Sequence, residues 1–89
     1  MKARQRWRVD VLIGADEDRT YAEATLETEL GDRLIGVGHA RRSPHDADVP
    51  EIGDEIAVAR ALRDLGSRLL DTAAADIEGI TAEDVHLTR

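Results

Sequence analysis

The sequence predicts an α+β domain, an antiparallel three-stranded meander packed on one long C-terminal helix. Three observations carry that expectation. Two runs, about 5–14 and 20–30, alternate polar and apolar residues with the period of two that marks a half-buried strand. A shorter run over 33–42 follows after a turn, and short connections between consecutive strands favour antiparallel neighbours. Last comes a stripe of apolar residues at steps of three and four, the period of an amphipathic helix.

In the first strand Trp7, Val9, Val11 and Ile13 alternate with Arg6, Arg8, Asp10 and Leu12. The polar run Gly14 to Asp18 supplies a hairpin loop. In the second strand Ala22, Ala24, Leu26, Thr28 and Leu30 share one face, and Tyr21, Glu23, Thr25, Glu27 and Glu29 share the solvated one. Gly31-Asp32 is a two-residue turn candidate. The third strand has two readable faces: Ile35, Val37 and His39 on one, Leu34, Gly36, Gly38 and Ala40 on the other. The expectation is that Ile35 and Val37 point at the helix. Glycines within a strand mark a bulge or the close approach of another backbone.

Residues 43–52 form a loop that contains Pro44 and Pro50. A helix is expected over about 53–79, with its apolar stripe on Ile56, Ala59, Leu62, Leu65, Leu69, Ala73, Ile77 and Ile80. Asp54 and Glu55 in its first turn would complement the helix dipole, and Gly79 would cap its end. Gly66, inside the pattern, marks a site for a kink or a close contact. The tail 80–89 reads as more helix or as an added strand through Val85 and Leu87. Such a helix outruns strands of eight to ten residues, so a second copy or the tail is expected to share its stripe.

Composition narrows the functions. Eighty-nine residues make a single domain. A chain of this size buries only about 60–65% of the surface its unfolded form exposes, which leaves a thin margin of stability. The absence of cysteine removes disulfides, thiolate catalysis and cysteine-based zinc sites, and fits a cytoplasmic setting. No signal peptide is read at the N-terminus, and no apolar run approaches the ~20 residues needed to cross a membrane.

The net charge of −7 argues against a general nucleic-acid binder. It is unevenly placed: residues 1–42 balance eight basic against eight acidic side chains, and residues 43–89 set four arginines against eleven acids. Gly36-Val37-Gly38 lacks the third glycine and following helix of a dinucleotide fingerprint. His39, His45 and His86 have no ligand spacing, and the loop from His45 to Asp48 lacks the acids of a calcium site. No nucleophile motif or paired-acid arrangement stands out. The expectation is therefore a binding protein, not an enzyme, with no metal, cofactor or small-molecule substrate.

Two arginine groups are the candidate contacts for RNA. Arg4, Arg6 and Arg8 would emerge on one face of the first strand, and Arg41-Arg42 would close the third. The planar guanidinium fork suits phosphate. The competing reading pairs Arg6 and Arg8 with Glu23, Glu27 and Glu29 across the sheet.

The stretch Leu34 to Arg42, the run Val49-Pro50-Glu51-Ile52-Gly53-Asp54-Glu55, and the segment Ala57 to Leu62 with Asp64-Leu65 and Arg68 to Leu70 resemble a family of small actinobacterial proteins of unknown function. Some of its members are associated with dormancy and low-oxygen stress. The resemblance covers about residues 34–80, with a looser match over Trp7 to Val11. It implies a dimeric α+β domain likened to ribosome hibernation-promoting factors and to double-stranded-RNA-binding folds. By that likeness Arg41 and Arg42 become ribosome or RNA contacts. Gly36, Gly38, Pro50, Gly53 and Asp54 are read as the structural join of sheet and helix.

Overall fold

A computed structural model describes residues 3–29, 31–41 and 50–87, with Pro50 and the last seven described for backbone only. Strands β1 (Val9–Ala15), β2 (Arg19–Glu27) and β3 (Arg33–Arg41) are followed by helix α1 (Pro50–Leu87). The strands form one antiparallel sheet in the order β1-β2-β3, the expected meander. The hairpin between β1 and β2 closes with the Asp16 N–H donating to the Arg19 carbonyl at 2.9 Å. The second connection is longer than the two residues expected. Gly31 takes a positive φ of 90°, and Thr28 gathers the chain through three hydrogen bonds with Gly31 and Asp32.

The helix lies on β2 and β3 and runs antiparallel to β3, with Ala57 and Ala61 against Gly38, and Ala61 and Leu65 against Gly36. This corrects the expectation for the third strand. Leu34, Gly36, Gly38 and Ala40 face the helix, while Ile35 and Val37 face solvent on the far side. A methyl group at Gly38 would overlap the Ala57 carbonyl oxygen, and one at Gly36 would meet the backbone of Ala61 and Leu65. The absence of a side chain is what lets the helix backbone settle on the strand.

The same contact rotates the helix from its expected setting. Ala57, Ala61 and Leu65 are buried, with Val58 and Leu69 packed beside them, while Ile56, Ala59 and Leu62 are exposed. Large side chains at 57 and 61 would hold the helix away from the glycines, so alanines occupy those two positions. The helix begins at Pro50, where a missing N–H costs nothing, and Glu51 takes the first-turn acidic position expected of Asp54 and Glu55. It runs through Gly79 and makes the tail helical as far as Leu87. A side chain at Gly66 would meet nothing, so that glycine serves no close contact.

The core is thin. Among the described residues its buried side chains are Ala22, Ala24, Leu26, Ala40, Ala57, Ala61 and Leu65, five of them alanines. At 1.5 Å per residue the helix is roughly 57 Å long, and nine-residue strands span roughly 30 Å. Beyond Leu69 it projects past the sheet, with Leu70, Ile77 and Ile80 exposed. No described helix is long and apolar enough to cross a membrane.

Candidate interaction surface

The sheet register decides what each surface can do. On the face away from the helix, Glu27 sits opposite Arg33, Leu12 and Val37 flank Glu23, and Arg19 lies directly opposite Arg41. On the helix side Val9, Val11 and Ile13 stand beside Leu26, Ala24 and Ala22. The helix barely reaches β1, so this row is open, with the exposed Trp7 just before it.

The register separates the two arginine groups. β1 begins at Val9, so Arg4, Arg6 and Arg8 lie ahead of the strand, all exposed, near the end of the sheet where β3 starts. Arg41 ends β3 at the other side, roughly 27 Å of strand away. Arg42 lies outside the described residues. Arg6, Trp7, Arg8 and Asp10 line a shallow cleft of about 470 Å³ together with Glu27, Thr28 and Glu29. Two arginines and three acidic residues therefore share its lining. The ion pair formed by Glu27 is with Arg33, at 3.5 Å, and not with an N-terminal arginine.

The structural residues fall where the chain needs them. Gly36 and Gly38 receive the helix, Pro50 opens it, and Gly53 in its first turns lies against Thr20. Asp54, in the following turn, is half-buried. His39 is exposed on the outer face, and His45 falls outside the described residues. No cluster of three metal-ligating side chains occurs among the described residues.

One arrangement was missed from sequence. Helix residues Arg60, Asp64 and Arg68, spaced by four, cover the outer edge of β3. The Val37 N–H donates to Asp64 Oδ2 at 2.9 Å, and Arg60 Nη1 donates to the His39 carbonyl at 2.6 Å. Arg68 Nε donates to the same Asp64 oxygen at 3.1 Å. The Val37 hydrogen bond first, and Arg68 second, hold the Asp64 carboxyl below the ordinary carboxylate range. The i, i+4 spacing of opposite charges was the available signal, but spacing alone does not reveal that the row faces a strand edge. Side chains from the helix thus satisfy backbone groups that would otherwise invite another strand. The edge of β1 receives no such cover among the described residues.

Fold and surface together define a class: a small β-β-β-α protein whose open features are a sheet edge, an apolar row and a projecting helix. The chain belongs to the Rv2632c-like family, which it matches over residues 5–86. It is 48% identical over 83 residues to the uncharacterised protein Mb1767 of Mycobacterium bovis (strain ATCC BAA-935 / AF2122/97), covering 93% of this chain and 87% of that one. Identity to the uncharacterised protein Rv2632c of Mycobacterium tuberculosis (strain ATCC 25618 / H37Rv) is 45% over 78 residues, covering 88% and 83%. The crystal structure of Rv2632c superposes with a TM-score of 0.82 at 42% identity, covering 90% of this chain and 94% of that one. These relatives place the chain among small actinobacterial proteins of unknown function.

Proposed function

We propose that this chain is a non-catalytic protein-interaction module that works as a homodimer. The observation that carries the reading is the mismatch between core and surface. Among the described residues five alanines and two leucines make the buried core, while Val9, Val11, Ile13, Leu70, Ile77 and Ile80 stay open to solvent. A small domain with so little buried apolar area gains most from covering its own exposed rows with a second copy. Light scattering at micromolar concentration should return about twice the chain mass of 9.8 kDa. A mass of one chain throughout the micromolar range would refute the reading.

A second reading keeps the ribosome or RNA as partner, in the resting cell that the likeness to hibernation factors implies. It is favoured by one feature, the like-charged pair Arg19 and Arg41 at one end of the sheet, a placement that an anion would relieve. Only Arg41 belongs to the set chosen from sequence. Co-sedimentation with ribosomes from resting and growing cells tests it. Replacing Arg41 and Arg42 by glutamate should abolish sedimentation without changing the melting temperature. Binding should weaken steeply with salt as counterions are released. Failure of the wild-type chain to bind at low salt would dispose of this reading and leave the first intact.

A further inference from the structure

The direction of the backbone groups along β1 follows from two hydrogen bonds elsewhere in the sheet. The Val37 N–H points away from β2, toward Asp64. Its neighbour across the pair, Glu23, therefore directs its own N–H and carbonyl toward β1, where it meets Leu12. The Asp16 to Arg19 hydrogen bond gives the same phase independently. Even-numbered residues of β1 thus bond to β2. Val9, Val11, Ile13 and Ala15 turn their N–H and carbonyl groups outward along the open edge.

This edge suits a copy of itself. The midpoint of Val9–Ala15 is Leu12, so a two-fold axis there pairs the strand end to end with no residue left over. Val9 then meets Ala15 of the second copy and Val11 meets Ile13, all four with outward hydrogen-bonding groups. The two Leu12 side chains, 63% exposed in one chain, fall side by side on the outer face. In the same register Arg8 of each copy lies opposite Asp16 of the other, so opposite charges close the interface at both ends. All four charged side chains share the face of Leu12, because residues 8, 12 and 16 differ by even steps.

We propose that two copies of this chain associate through antiparallel pairing of their β1 edges about Leu12, making one six-stranded sheet with a helix over each outer pair of strands. The edge of β3 is closed by Asp64 and Arg60, so β1 is where the sheet extends. Antiparallel pairing also makes the interface isologous, as a two-fold dimer requires. The inference rests on the self-association reading above and specifies its surface.

The absence of cysteine makes the test direct. Leu12→Cys introduces a single thiol at an exposed position. In a pair of this kind without mutual hydrogen bonds the Cα atoms stand about 4.5 Å apart, within the span of a disulfide. Mild oxidation should convert most of Leu12→Cys to a covalent dimer and leave Leu70→Cys, on the projecting helix, largely uncrosslinked. Adding Val11→Pro removes an outward N–H without touching the β1–β2 ladder, and should abolish the crosslink while the far-ultraviolet circular dichroism is retained. Arg8→Asp alone and Asp16→Arg alone should each weaken the dimer by roughly tenfold through two like-charge contacts, and the double exchange should restore it. A wild-type dimer in which Leu12→Cys resists oxidation, or in which Leu70→Cys crosslinks as readily, overturns the β1 edge but leaves self-association standing. A wild-type chain that is monomeric at every concentration overturns both.

Discussion

Gly36, Gly38 and Gly66 are the same residue under opposite demands. At Gly38 a methyl group would overlap helix backbone, which cannot give way as a flexible side chain can. Gly38→Ala should therefore destabilise the chain by about 1–3 kcal/mol, as overpacking does, in denaturant titrations. Gly66 faces open space inside a helix, and Gly66→Ala should stabilise by about 0.5–1 kcal/mol. A common sign for the two substitutions would contradict the packing described. Asp64 adds a pH dependence. Its carboxyl is lowered in the fold, so the stability it contributes is complete above its unfolded pKa of about 4. That contribution disappears as pH falls through the lower folded value. Asp64→Asn should flatten the acid limb of the stability curve and leave its shape above about pH 5 unchanged, as read from unfolding midpoints across pH.

At the scale of elements, the helix is two structures in one. Its first half is held by the sheet through a narrow stripe of Ala57, Ala61 and Leu65, and its second half projects beyond it. Leu65→Ala should cost about 2–4 kcal/mol, because it removes a large buried side chain at the centre of the helix–sheet contact. Leu70→Ala, at a position 73% exposed, should change chain stability by less than about 0.5 kcal/mol. A large loss at Leu70 in dilute monomer would mean that the projecting half is packed against something. The existence of this helix and of all three strands was legible in the sequence, from period and turn residues. Its rotation was not. Periodicity weights Ile56 and Leu62 by hydrophobicity, whereas the contact was decided by how closely two backbones can approach. That depends jointly on Gly36 and Gly38 in one element and Ala57 and Ala61 in another.

For the whole molecule, uncovered apolar rows and a thin core mean that the self-association proposed above would add to stability. If dimerisation stabilises the native state, the melting temperature should rise with protein concentration, since mass action favours the species that binds. A hundredfold dilution that leaves the midpoint unmoved would indicate that folding and association are independent. The net charge of −7 acts at this scale too. It opposes the approach of any polyanion except at a local basic patch, and the arginines chosen as RNA contacts that the structure describes, Arg4, Arg6 and Arg8 against Arg41, lie at opposite ends of the sheet. One mutated end should thus leave any binding at the other intact.

Alternation, turn residues and a long 3.6-period stripe determined the β-β-β-α order, because each is a property of residues close together in the chain. The absence of cysteine and the charge asymmetry were likewise fixed by composition. Only the tertiary structure decided which face of β3 meets the helix, that Glu27 pairs with Arg33, and that Asp64 and Arg60 close one sheet edge. These are relations between residues distant in sequence, set by strand register and by the steric fit of glycine against alanine, and no local pattern encodes either.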